Sequence, residues 1–192
     1  MKVLITYMSN TGNTKKVAEA IFEEIKEDKE IIPIDQIDSI DSYDLTFLGF
    51  PVKKMGPDKK TRKLLNRHCI DGRNVVLFIT HAAPEGSSEL QSWLEKFRNE
   101  ASKANIVDLF DCQGELGKTI KWIMSIMPNK DFRRWVKEDN SQGQPDETRI
   151  ERARVFTREV MEKFRKNHRV IGEKELLEKS IGVRVSDPIL TK

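Results

Sequence analysis

The first 25 residues constrain the fold of this chain more than any other segment. Val3, Leu4 and Ile5 form an unbroken apolar run, the pattern of a parallel strand that is covered on both faces. From Thr14 onward, apolar side chains recur at helical spacing, with charged side chains between them. The apolar set comprises Val17, Ala20, Ile21 and Ile25. A strand, a tight turn and a helix therefore follow one another, as in proteins built on parallel sheets.

The turn at this junction has the chemistry of a phosphate site. The first N–H groups of a helix lack partners and its dipole is positive there, so an anion is favoured. Gly12 lets the backbone close around a ligand where a Cβ would clash. No side chain of the turn is cationic, and the glycine motifs of nucleoside triphosphatases and dinucleotide-binding proteins are absent. Neutral hydroxyl and amide donors come from Ser9, Asn10, Thr11, Asn13 and Thr14.

The sequence Ser-Asn-Thr-Gly-Asn-Thr at residues 9–14 resembles the phosphate loop of the flavodoxin family, whose cofactor is flavin mononucleotide (FMN). The resemblance extends over about residues 1–167. It implies that the loop holds the 5′-phosphate of FMN. The residues so assigned are Ser9, Asn10, Thr11, Gly12, Asn13 and Thr14. The alternative is a Ser/Thr-rich helix cap that binds no ligand.

Four further apolar runs, separated by helical patterns, predict an α/β fold with a parallel sheet and helices on both faces. These runs cover residues 31–34, 45–49, 75–80 and 106–110, and Pro33 places the first of them at an edge of the sheet. The expected architecture is a flavodoxin-like, doubly wound, five-stranded sheet of order 2-1-3-4-5. In that order, the loops after strands one, three and four converge at the carboxyl edge.

The loops after strands three and four complete the expected cofactor site. The resemblance implies that the loop after strand three covers the flavin ring, with Phe50 and Met55 as candidates to stack on it. The alternative for Phe50 is a place in the core. In the next loop, His81 is a donor at the ring edge, a proton relay or a structural residue. The two loops contribute Phe50, Pro51, Val52, Lys53, Lys54 and Met55, and Thr80, His81, Ala82 and Ala83.

Lys53 and Lys54 suggest an electrostatic effect on the cofactor. Reduced flavin carries a negative charge, and a cation about 4 to 5 Å away would stabilise it by roughly 3 to 4 kcal/mol at an effective dielectric near 20. We therefore hypothesise a less negative reduction potential than that of an acidic flavodoxin. The alternative is that both lysines are solvated loop residues.

The domain interpretation is a flavodoxin-like domain over residues 1–167, with an insertion at about 114–144 that follows the fifth strand. Within the insertion, residues 116–127 have helical spacing, and Trp122 is expected to be buried. The last helix of the domain is predicted to begin near residues 145–147. Residues 168–192 form an apolar extension that we expect to pack on the body or on a partner.

The composition limits the possible partners and location. The 34 basic and 31 acidic residues give a net charge of +3 and alternate along most helices, a pattern that does not favour nucleic acid. Cys69 and Cys112 lack metal-ligand spacing, which argues against a metal site and fits a reducing compartment. No apolar stretch approaches the roughly 20 residues that span a bilayer. We expect a cytoplasmic protein without membrane insertion.

Three functions remain open at this point. The resemblance implies an FMN-dependent electron transfer protein that serves a partner oxidoreductase. The second is an FMN-dependent reductase of a quinone or similar small acceptor, with the insertion covering the substrate. The third is a domain that binds another phosphorylated ligand or serves only as an interaction module. No catalytic side chain is assigned.

Overall fold

Five parallel strands form one sheet of order β2-β1-β3-β4-β5 in the computed structural model of the chain. The strands are β1 (Lys2–Tyr7), β2 (Asp28–Pro33), β3 (Leu45–Pro51), β4 (Asn74–His81) and β5 (Asn105–Gln113). The predicted fold class, strand order and edge position of β2 are therefore confirmed. Pro33 is the last residue of this edge strand and pairs with Tyr7, so its missing N–H interrupts no central ladder.

The structure describes the backbone of residues 1–181 and the side chains of residues 1–130 and 133–168. Its helices are α1 (Asn13–Glu24), α2 (Lys59–His68), α3 (Ser88–Glu100), α4 (Lys118–Ile126), α5 (Lys130–Lys137) and α6 (Glu147–Ile181). In this part of the chain, no helix has both the length and the apolar character that crossing a membrane requires.

Each face of the sheet has its own apolar core, because successive strand residues point to opposite faces. Val3 and Ile5 belong to a core that contains the buried residues of α1 and α6. Leu4 lies between them in sequence and belongs to the opposite core, with residues of α2 and α3. Helices thus cover both faces, and the carboxyl ends of β1, β3 and β4 are left as neighbours at one edge of the sheet.

The segment after β5 differs most from expectation. It contains α4, which ends at Ile126, and a further short helix, α5, that the sequence analysis did not predict. Trp122 is 64% exposed, so the expectation that it is buried is wrong. Helix α6 continues past residue 168 to Ile181. The expected packing of the extension concerns side chains after residue 168, which lie outside the described residues. The domain boundary therefore stays a prediction.

Candidate cofactor site

The turn between β1 and α1 presents unpaired backbone donors. Gly12 is the N-cap of α1 and has a φ of 94°, a left-handed conformation that glycine adopts without steric cost. Its carbonyl accepts the first helical hydrogen bond, from Lys16 N–H at 2.9 Å. The N–H groups of Asn13, Thr14 and Lys15 have no partner among the described residues. The turn therefore offers convergent N–H donors at the positive end of a helix, which suits a phosphate.

The side chains of the turn divide into two groups. Ser9 Oγ accepts a hydrogen bond from Gly12 N–H at 3.1 Å, so its own hydroxyl hydrogen stays available to a ligand. Asn10 and Thr11 are exposed and also available. Asn13 Nδ2 instead donates to the Glu115 carbonyl at 2.9 Å, and Thr14 Oγ1 lies 2.8 Å from Thr80 Oγ1 in a buried pair. These last two side chains brace the turn, which leaves their backbone N–H groups as its phosphate donors.

The two lysines that follow the turn in sequence are engaged elsewhere. Lys15 pairs with Glu19 at 3.6 Å, and Lys16 Nζ donates to the Pro145 carbonyl at 2.6 Å. The site therefore relies on neutral donors, as the sequence indicates. The Thr14–Thr80 pair also joins the first loop to the end of β4, which confirms that loops far apart in sequence converge here.

The loop after β3 projects a strained tip. Val52 N–H donates to the Thr80 carbonyl at 2.7 Å, and Lys53 N–H donates to the Gly56 carbonyl at 2.9 Å, which closes a tight turn. Lys54 and Met55 at the tip have φ values of 52° and 64°, which is uncommon for residues with a side chain. Lys96 Nζ on α3 donates to the Met55 carbonyl at 3.1 Å and holds this tip. Sequence reasoning missed Lys96, because it lies on a helix 41 residues away.

The two candidates for covering the flavin ring have different environments. Phe50 is fully buried, with its ring centroid 6.5 Å from that of Phe97. The structure therefore places Phe50 in the core, because its strand position points towards α3, and not at the cofactor surface. Met55 is 54% exposed at the loop tip, where its flexible thioether is free to cover a ring.

The two lysines of this loop are not equivalent. Lys53 Nζ lies 3.2 Å from Asp58 Oδ2, and the other carboxylate oxygen of Asp58 accepts from Thr61 N–H at 2.8 Å to cap α2. Burial by itself would raise the pKa of Asp58, but the hydrogen bonds from Thr61 and Lys53 outweigh it and hold that pKa below its ordinary value. The charge of Lys53 is thus compensated, whereas Lys54 is exposed and has no ion pair with a described residue.

His81 braces the loop after β4 from inside. Its side chain is completely buried, with Nδ1 3.0 Å from the Ala83 carbonyl and Nε2 3.1 Å from Asp111 Oδ2. Both ring nitrogens are therefore engaged by protein, so the side chain takes the structural role of the two considered. Ala83 is buried and Ala82 is half-buried, and Thr80 carries the contact to Thr14.

A polar network that sequence reasoning missed anchors the same loop. Glu85 accepts hydrogen bonds from Arg149 at 2.9 Å and from Arg152 at 2.8 Å, both on α6. Gln113 Nε2 donates to Asn140 Oδ1 at 2.8 Å, and Gln113 Oε1 accepts from Arg149 at 3.3 Å. No local pattern identifies these residues, because their partners lie between 27 and 67 residues away.

The loop from β5 to α4 forms a further wall beside the phosphate turn. A Cβ placed on Gly114 would lie 2.6 Å from Asn13 Nδ2, and one placed on Gly117 would lie 3.2 Å from the Thr11 methyl carbon. The sequence does contain a signal for this close contact between the loop and the phosphate turn: two glycines three residues apart follow the fifth strand. Nearby, burial raises the pKa of the Cys112 thiol to about 12, and the Glu85 and Asp111 carboxylates act in the same direction.

A flavodoxin domain model matches residues 4–158, which include most of β1, all of β2 to β5 and the loops of the site. The chain belongs to the flavodoxin family. It is 34% identical over 172 residues to the flavodoxin-like domain-containing protein BilS of Clostridioides difficile, with 84% of this chain and 97% of that protein covered.

Solved flavodoxins show the same fold at low sequence identity. Oxidised flavodoxin 2 from Bacillus cereus matches with a TM-score of 0.55 at 18% identity, with 85% of this chain and 99% of that one covered. The flavodoxin of Streptococcus pneumoniae TIGR4 matches with a TM-score of 0.53 at 16% identity, over 85% and 99% of the two chains.

The family and the site together identify FMN as the cofactor of this chain. The donor set fits this cofactor: the turn holds the Ser9 and Thr11 hydroxyls and three N–H groups without a partner among the described residues, and no side chain of residues 9–14 is cationic, which matches a terminal phosphate. We expect backbone groups of residues 80–83 and the exposed Met55 tip to contact the ring.

Proposed function

We propose that this flavodoxin is an FMN-dependent one-electron carrier that exchanges electrons with a partner oxidoreductase. The observation that carries the proposal is the exposure of the cofactor-holding elements. Asn10, Thr11 and Gly12 are exposed on one side and Lys54 and Met55 on the other, at the ends of two loops braced from inside. A cofactor bound between the exposed ends of these two loops would keep one edge accessible to another protein.

The reductase alternative needs a covered space for a small acceptor beside the ring. A groove with a volume of about 660 Å³ lies elsewhere, between β5 and α6. Its lining includes Phe110, Glu151, Val155 and Phe156, and none of the residues assigned to the cofactor. Trp122, which the reductase interpretation would use to cover a substrate, is directed to solvent. These features favour the carrier.

A redox titration of the FMN-loaded protein tests the proposal. A carrier is expected to take up its two electrons in separate steps, so that a half-reduced form accumulates and is visible by its spectrum. A single two-electron step, combined with steady oxidation of NAD(P)H in the presence of a quinone, would establish the reductase instead. A colourless protein that takes up no FMN would leave only the interaction module.

We also propose a cytoplasmic location. Cys69 and Cys112 are both free and buried, and they lie in different cores, so the fold makes no use of a disulfide between them. Recovery of the protein in the cytosolic fraction would support this location. So would alkylation of both cysteines when cells are lysed rapidly in denaturant, because it shows that both thiols were reduced.

A further inference from the structure

The outer face of α4 is apolar and exposed. No residue of this helix is buried, and four of its large apolar side chains are between 40% and 64% exposed. They are Ile120, Trp122, Ile123 and Ile126. In the described part of the chain, eight large apolar side chains are exposed, so one nine-residue helix carries half of them. Single exposed apolar residues are ordinary, but a contiguous group marks an interaction surface.

The same segment carries the positive charge of the chain. Residues 118–138 contain six basic and two acidic side chains, so the remaining 28 basic and 29 acidic residues of the protein nearly cancel. Lys121 pairs with Asp139, and Arg134 with Glu138. Lys118, Lys130 and Lys137 are exposed and have no ion pair with a described residue. Helix α4, with its apolar face, and the neighbouring α5 therefore carry three lysines without an ion pair in the described structure.

The segment is attached directly to the cofactor site. Gly117 caps α4 and approaches Thr11 of the phosphate turn, and the Glu115 carbonyl accepts the hydrogen bond from Asn13. A protein seated on α4 and α5 would therefore lie beside the cofactor. This placement is what a carrier needs, because its electron must leave through the docked surface.

We propose that the helical hairpin formed by α4 and α5 is the docking surface for a redox partner protein whose own surface has an apolar centre edged by carboxylates. This inference rests on the proposed carrier function. An apolar centre with a charged rim is the usual anatomy of a transient interface, and opposite charges at the rim steer the encounter. An anionic membrane is less well matched, because it would not account for the position of the hairpin beside the phosphate turn, where a redox partner can exchange an electron with the cofactor.

The test measures electron transfer to two haem proteins of opposite charge. The FMN-loaded protein is reduced with dithionite and mixed by stopped flow with ferric cytochrome b5, which is acidic, or ferric cytochrome c, which is basic. One electron passes from the reduced cofactor to each ferric haem. We expect the rate constant with the acidic protein to fall as salt is added, and the rate constant with the basic protein to rise or stay level.

Two double variants then locate the surface. Lys118→Glu with Lys130→Glu, and separately Trp122→Gln with Ile126→Gln, are each expected to lower the rate constant with the acidic haem protein about tenfold. Lys26→Glu with Lys103→Glu is the charge-matched control. Both lysines are exposed and precede the amino ends of β2 and β5, at the end of the sheet away from the cofactor loops. This control is expected to change the rate less than twofold. Reduction of a neutral benzoquinone should be equal in all variants.

Each other outcome overturns the docking surface. Equal effects of the hairpin and control reversals would mean that only net charge matters. Unchanged rates in both hairpin variants, with loss of co-sedimentation on phosphatidylglycerol vesicles, would assign the face to a membrane. If the protein reduces the quinone but neither haem protein, the carrier function fails together with the docking surface. If both haem proteins are reduced at rates independent of the hairpin, only the docking surface fails.

Discussion

Single residues decide how closely the walls of the cofactor site approach one another. A Cβ on Gly114 would lie 2.6 Å from Asn13 Nδ2, well inside normal contact distance. Gly114→Ala is therefore expected to displace Asn13 and the N–H groups of the phosphate turn, and to raise the Kd for FMN about tenfold, or about 1.4 kcal/mol. Quenching of flavin fluorescence measures this Kd. Gly72→Ala is the control, because Gly72 has a left-handed φ of 78° but open space around it, so only stability should fall.

Phe50 and Met55 provide a second test at this scale. Phe50→Leu trims a fully buried ring, so we expect a loss of about 1 to 3 kcal/mol in the free energy of unfolding with little change in the Kd for FMN. Met55→Ala removes an exposed side chain at the loop tip, so we expect the reverse: unchanged stability and FMN binding about tenfold weaker. Urea unfolding of the apoprotein and FMN titration separate the two effects. A larger increase in the Kd for FMN in Phe50→Leu than in Met55→Ala would mean that Phe50 contacts the flavin ring.

At the scale of elements, α2 and the loop after β3 share one carboxylate. Asp58 caps α2 through Thr61 N–H and also holds Lys53, so Asp58→Ala is expected to cost about 0.5 to 2 kcal/mol of unfolding free energy. Because the pKa of Asp58 is lower in the folded state than its ordinary value of 3.8, this stabilisation is complete above that value. It is lost as the pH falls through the lower folded-state pKa.

Urea unfolding at a series of pH values therefore checks the direction of this effect. The gap between the wild type and Asp58→Ala should be constant near neutrality and close in acid. Asp71→Ala is the control, since Asp71 is exposed and has no partner among the described residues. A gap that widens on acidification would contradict the role of Asp58 as an ionised cap.

The same scale shows what the sequence could and could not predict. Strands β1, β3 and β4 are runs of apolar residues, and the phosphate turn is local, so periodicity and turn chemistry were sufficient to place them. Phe132, Trp135 and Val136 have helical spacing, so α5 could have been predicted from the sequence. By contrast, the bracing of Asn13 by Glu115 joins residues 102 positions apart. Contacts of this kind depend on how elements meet in three dimensions, which local pattern does not encode.

At the scale of the whole molecule, charge is distributed unevenly although its sum is small. The excess of basic residues is confined to residues 118–138, while the cofactor loops contribute Lys54 as an exposed cation without an ion pair in the described structure. The electrostatic environment of the cofactor is therefore set by position and not by the net charge of +3. Removing a single well-placed charge should have more effect than removing a distant one.

The reduction potential tests this argument. Reduction adds negative charge to the flavin, so Lys54→Gln is expected to make the reduction potential more negative by about 60 mV, or about 1.4 kcal/mol for one electron. This shift is smaller than the loss of a buried charge would give, because Lys54 is exposed. Lys53→Gln should have a smaller effect, since Asp58 already compensates Lys53 at 3.2 Å. Spectroelectrochemical titration at low salt measures all three proteins, with Lys103→Gln as a distant control of equal charge. Added salt should shrink the Lys54 effect by screening. Equal potentials in all four proteins would mean that both loop lysines are simply solvated.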